Sequence, residues 1–309
     1  REAERRWKQN ASGQGSFKFQ TADFGAATFP KLLASDLLGG RKADFVACHF
    51  ALHYACGARD RVANLLDAVA ASLSEQNGVF LATVVRWQAL RDLLRAGRSD
   101  KKNGAASDEV ITAAIATTEM TKDDDASASP ADLCRVEAPR RTLEVLESLP
   151  ESTADERAFD GVEYKFSLGD AVEDCDEFVV HVPSLQALAA ARGLVLLESD
   201  SFEDVLRSAL AADPAAFHRL AADIGIRPNE LKDPASKRLP LTDAQFRVST
   251  LYGSLLFVHE SRKDALLRSQ PDEETKEAVS SAPAVQDNGK GETTPAPPPP
   301  PPQEEEETP

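Results

Sequence analysis

The chain reads as an open α/β sheet with an antiparallel C-terminal edge strand, and three observations carry that reading. Short apolar runs at 45–50 (FVACHF), 79–85 (VFLATVV) and 194–198 (LVLLE) have the length and branching of buried strands. Helical stretches alternate with them, as at 87–94, where Trp87, Leu90 and Leu94 are spaced three then four. A last apolar run, 252–258, arrives after a long helical excursion, which suits antiparallel entry at an edge.

Taken in order, 2–10 reads as the end of a surface helix, broken by Gly13 and Gly15 before a short strand at 17–22. The Gly13-x-Gly15 pair follows a helix and precedes a strand, the reverse of a dinucleotide loop. A short helix is expected at 30–38, then the strand 45–50 and the helix 59–73. The turn Gln76-Asn77-Gly78 leads into strand 79–85. Residues 97–160 then change character: Asp123-Asp124-Asp125 and repeated Ser, Thr, Glu and Arg mark a polar low-complexity insert, with helical segments at 109–119 and 142–149. Order resumes at 162–167 and 177–181. The helix 185–192 is closed by Gly193 and leads into strand 194–198. Helices at 202–224 and from Thr242 precede the final strand. The expected organisation is therefore a partial α/β region at 1–96, the insert at 97–160, the remainder of the same domain at 161–262, and a disordered acidic, proline-rich tail at 263–309.

Residues 270–309 of that tail carry half of the formal net charge of −16, so the body is only mildly acidic and its charge does not exclude a nucleic-acid partner. Pro297 to Pro302 and Glu304 to Glu307 favour an extended chain suited to recruiting other proteins. The four cysteines show no C-x-x-C spacing and the five histidines are dispersed, so no metal site is expected. No apolar run reaches membrane-spanning length.

Several side chains fall where open α/β sheets bind ligands, at carboxyl ends of strands. Asp23 can accept from an exocyclic base amine, or serve as a turn or cap aspartate. His53 and Tyr54 close the strand 45–50 and are either ligands or packed rings. Tyr164 and Phe166, two apart on a strand, share one face and can stack on a base. Glu177 can accept both donors of a guanine Watson–Crick edge, or be one of a solvated acidic cluster with Glu173, Asp174 and Asp176. Tyr252 meets the last strand and by default packs inside.

Together, F-x-T-A-D at 19–23, H-F-A-L-H-Y at 49–54, Y-K-F-S-L-G-D-A-V-E-D-C-D-E-F-V-V-H-V-P at 164–183 and the run from Leu241 through Tyr252 resemble successive motifs of mRNA cap guanine-N7 methyltransferases. The resemblance implies a class I methyltransferase (Rossmann-like) open sheet. It also implies S-adenosylmethionine as cofactor, the GpppN end of capped RNA as substrate, a nuclear location, and capping or transcription machinery as partners of the tail. On it, Asp23, His49 and Tyr54 bind the cofactor. Phe50, His53, Tyr54, Tyr164, Phe166, Glu177 and Tyr252 form the cap-guanine pocket. No residue acts as acid or base, because guanine N7 carries a lone pair and no proton, and positioning suffices. His49 replaces the family's usual glutamine, and Val84-Val85 replaces a Thr-Pro-like pair. The chain begins at Arg1 and reads as the C-terminal two-thirds of the domain. The Gly-rich cofactor loop is expected upstream, and this stretch alone is expected to be inactive. The alternatives are a class I methyltransferase for another substrate, or a non-catalytic cap- or partner-binding remnant.

Overall fold

A computed structural model describes residues 18, 20–100, 110–116, 132–169, 171–223 and 241–263, all within the compact unit Arg1–Leu267. The expected helix 2–10, the two glycines after it and nearly all of the tail lie outside them. Of the expected strand 17–22, residues 18 and 20–22 are described and form no strand; the chain instead enters a turn at Asp23.

The first sheet is built from β1 (Phe45–His49), β2 (Val79–Val85), β7 (Leu194–Ser201) and β8 (Tyr252–His259), in the order β1-β2-β8-β7. Strands β1 and β2 are parallel, and β8 is antiparallel to both β2 and β7. The expected final antiparallel strand is therefore present, but it lies inside the sheet, with β7 as its outer neighbour. Paired on both edges, β2 is mostly buried, while β1 alternates exposed and half-buried residues, with Phe45 58% exposed. Among the described residues no strand pairs with the other edge of β1.

Between β1 and β2, helix α1 (Arg59–Ser72) turns Val62, Leu65, Leu66 and Val69 inward, the one-face spacing of an amphipathic helix. They meet Phe80, Ala82 and Phe257 of the sheet and Leu185 and Leu188 of α4 (Val182–Ala190) in one of two cores. Gly193, at φ +71°, ends that helical stretch in the left-handed conformation expected of it.

The stretch 97–160 departs most from expectation. The helix expected at 109–119 is a strand, β3 (Val110–Ala116), and a further strand, β4 (Asp132–Pro139), follows it. Ile111, Ala113 and Ile115 are buried on β3, and Cys134, Val136 and Ala138 on β4, a period of two that outweighs the helix propensity of the alanines. Helix α3 (Arg140–Ser148) agrees with the segment expected at 142–149. With β5 (Glu163–Leu168) and β6 (Val172–Phe178) these strands make a second sheet, β3-β4-β5-β6, antiparallel throughout. Its core gathers Leu90 and Leu94 of α2 (Trp87–Asp100), Leu143 and Leu146 of α3, and Phe166, Val248 and Tyr252. Helices α5 (Phe202–Ala212) and α6 (Pro214–Asp223) follow β7. Helix α7 (Asp243–Ser249) is opened by a capping box of Thr242 and Gln245 and leads into β8.

Candidate functional site

The site grows from the β5–β6 hairpin, whose turn uses Gly169 at φ +46°. Its register sets Tyr164 opposite Glu177 and Phe166 opposite Cys175, so four side chains share one face. The Tyr164 hydroxyl donates to Glu177 Oε2 at 2.7 Å, inside the protein. Burial raises the pKa of Glu177, and the tyrosine hydrogen bond opposes that rise. Burial likewise pushes the Tyr164 phenol well above its ordinary value.

The second contribution comes from the end of β1. Phe50 adopts φ +49°, a left-handed conformation rare for a bulky residue, and it turns the chain into the 3-10 stretch Leu52–Ala55. That corner brings His53, 3% exposed, to Glu177, with Nε2 3.4 Å from Oε1. Burial lowers the His53 pKa to about 4, so at neutral pH the contact joins a neutral imidazole to the carboxyl group rather than an ion pair. The geometry is not that of a hydrogen bond, and both ring nitrogens lack a partner while shielded from solvent. Tyr54 packs edge-on against His53, with ring centres 4.1 Å apart, and its hydroxyl lies 3.2 Å from Cys175 Sγ. That hydrogen bond, together with burial, raises the Tyr54 pKa.

Aromatic rings complete the site. Tyr252 at the start of β8 meets Phe50 edge-on at 5.1 Å, Phe166 at 6.2 Å and Phe202 at 5.9 Å. Phe50 remains 48% exposed, so an apolar face stands open at the carboxyl end of β1. All seven residues expected around a guanine (Phe50, His53, Tyr54, Tyr164, Phe166, Glu177 and Tyr252) thus come together in one constellation drawn from both sheets. Sequence reasoning missed Phe202 and Cys175. The first lies just past the end of β7, and the second follows from the register opposite Phe166, a pairing that only the hairpin reveals.

Asp23 and His49 are not drawn into these contacts. Asp23 is exposed. Its Oδ1 accepts from the Gly25 N–H at 2.9 Å, and its two oxygens take the Arg61 guanidinium at 2.9 and 3.1 Å. These are the bonds of a turn aspartate held in an ion pair, and the arginine, with the Gly25 amide, lowers its pKa. His49 ends β1 on the surface, and its side chain makes no hydrogen bond, ion pair or ring contact among the described residues. Among those residues no three His, Cys, Asp or Glu side chains are placed to hold a metal ion, and no helix is long and apolar enough to cross a membrane.

Residues 146–259 match the family model of the mRNA (guanine-N(7))-methyltransferase domain. This segment resembles part of a methyltransferase domain. It holds Tyr164, Phe166, Glu177 and Tyr252, and the resemblance read from the motifs is borne out over it. Among solved structures, a S-adenosylmethionine-dependent methyltransferase from Clostridium acetobutylicum ATCC 824 is similar at 13% identity and a TM-score of 0.36, covering 84% of this chain and 70% of its own. The CcbJ methyltransferase from Streptomyces caelestis is similar at 11% identity and a TM-score of 0.30, covering 71% of this chain and 61% of its own. No curated protein matches the chain. The α/β assignment rests on the strand order and pairing described above.

Proposed function

We propose that the protein is an mRNA cap guanine-N7 methyltransferase, with the GpppN end of RNA as its acceptor. The observation that carries this reading is the Tyr164–Glu177–His53 cluster, buried beside an aromatic group that remains open at Phe50. Guanine offers two adjacent donors, N1–H and the N2 amine, and Glu177 keeps acceptor capacity beyond the Tyr164 bond. A neutral His53 has one ring N–H to offer guanine O6. Phe50, backed by Tyr252 and the buried Phe166 behind it, supplies ring surface for the base and for the positive charge it acquires on methylation.

S-adenosylmethionine, when bound, supplies an electrophilic methyl group. The residues fit such a donor at the carboxyl end of β1, where the exposed His49, Phe50 and Tyr54 leave room for a ligand. His49 and Tyr54 would face its methionine end. Asp23 would take its adenine amine through lone pairs that Arg61 and Gly25 leave free. The chain's own task is orientation: the Glu177 end fixes the Watson–Crick edge, which turns N7 away from it, and the aromatic group fixes the ring plane. No proton leaves N7, so a neutral histidine and a carboxyl group used for binding are sufficient. On the same reading the protein works in the nucleus, and the acidic proline-rich tail recruits capping or transcription proteins.

The full-length protein is tested with S-adenosylmethionine and GpppA-ended RNA, with the product read as 7-methylguanosine by mass. Methylation of a different acceptor that cap analogues do not inhibit would refute the cap assignment. Tight binding of GpppA with no binding of S-adenosylmethionine would make the protein a cap-binding remnant.

A further inference from the structure

Phe50 is the least comfortable residue of the site. A phenylalanine at φ +49° is strained, and such strain persists only where the surroundings fix it. Its ring meets Tyr252 and Phe202 edge-on, but the residue is nearly half exposed and the ring alone does not explain the conformation. Its backbone does. The Phe50 N–H donates to Thr83 Oγ1 at 2.8 Å and reaches the Thr83 carbonyl at 3.2 Å. Thr83 is buried on β2, held from one side by the pairing with β1 and from the other by Ser254 of β8. A threonine hydroxyl fixed in the middle of the sheet is thus the anchor for the first residue beyond β1.

We infer that Thr83 is a positioning residue for the guanine pocket: its hydroxyl pins the left-handed turn at Phe50 and so aims the corner 50–54 at Glu177 and Tyr252. Three of the seven pocket residues, Phe50, His53 and Tyr54, sit on this corner. Without the left-handed turn, β1 would continue straight and carry Phe50 away from Tyr252, 5.1 Å off, and His53 away from Glu177, 3.4 Å off. The hydroxyl is buried and bonds the Phe50 backbone, so its role is exerted through the backbone it holds. Residues 84 and 85, where the chain departs from the resembled pattern, play no part in this contact.

The test uses the full-length protein with Thr83→Val, which keeps the side-chain shape and removes the oxygen, and Thr83→Ser, which restores it. Hydrogen–deuterium exchange of the Phe50 amide should quicken about three- to tenfold in Thr83→Val and return to the wild-type rate in Thr83→Ser. GpppA affinity, which rests on the cap reading above, should fall about three- to tenfold in Thr83→Val and recover in Thr83→Ser. In a Phe50→Gly background, where the left-handed turn carries no strain, Thr83→Val should change affinity less than about twofold. Unchanged exchange at Phe50 overturns the inference, as does an affinity loss undiminished in the Phe50→Gly background. If the wild type binds no GpppA, the cap reading falls, and the exchange measurement still decides whether Thr83 holds the corner.

Discussion

Asp23 and Glu177 are both acids at which a nucleobase was expected, and the fold gives them opposite surroundings. Asp23 lies on the surface, paired with Arg61 and its own turn, and its pKa is lowered. Glu177 is 5% exposed, shares its oxygens with a tyrosine hydroxyl and a neutral histidine, and its pKa is raised. A paired surface acid is already satisfied by solvent and a cation, so a ligand gains little by displacing either. A buried acid with one good partner and an unpartnered imidazole beside it has most to gain from a ligand with two donors.

The largest effect should follow from breaking the buried partner. Glu177→Ala should weaken GpppA binding about 10- to 100-fold, and by stranding the Tyr164 hydroxyl it should cost about 1–3 kcal/mol of stability. Titration calorimetry and urea unfolding read the two losses separately. The histidine gives the next effect, and its sign is fixed. His53 has a folded pKa of about 4 against an ordinary 6.5. The unfolded chain therefore binds the extra proton first, and stability is lost as pH falls from 6.5 toward 4, by roughly 3 kcal/mol. Glu177, with its raised pKa, works the other way, its contribution being lost as pH rises through the folded value. Urea midpoints at pH 7 and 4.5 should consequently converge in His53→Gln.

Tyr164→Phe sharpens the comparison by removing one hydroxyl and little volume. It should lower GpppA affinity less than Glu177→Ala and destabilise by about 1–2 kcal/mol. Asp23→Asn should barely move the melting temperature, since an exposed ion pair contributes little. If Asp23 holds the methyl donor's adenine, the same variant should still weaken S-adenosylmethionine binding several-fold, and unchanged binding would make it a turn residue only.

Much of this was legible because local patterns agreed with the fold. Trp87, Leu90 and Leu94 marked α2, Thr242 the opening of α7, and Gly193 a helix end. Strands β3 and β4 were not legible, because their alternation is short, is interrupted by alanines in β3, and is flanked by acidic and serine-rich runs that dominate any window. The spacing of Tyr164 and Phe166 gave a shared face, and the resemblance placed Glu177 with them. Neither could show that Tyr164 and Glu177 are direct cross-strand partners, which depends on where the Gly169 turn sets the register. Phe202 and Thr83 escaped for a related reason: each matters through a neighbour distant in sequence.

The interior position of β8 has a consequence for synthesis. Strands β2 and β7 never touch each other; both bond to β8, which carries Tyr252 and lies nearest the C-terminus of all the described strands. While a ribosome adds residues at about 5–20 per second, β2 waits on the order of ten seconds or more with one edge bare. An apolar strand left open that long is an invitation to pair with another chain. A chain cut short before residue 259 is therefore expected to leave the inner edge of β2 bare and to be prone to pairing with other chains.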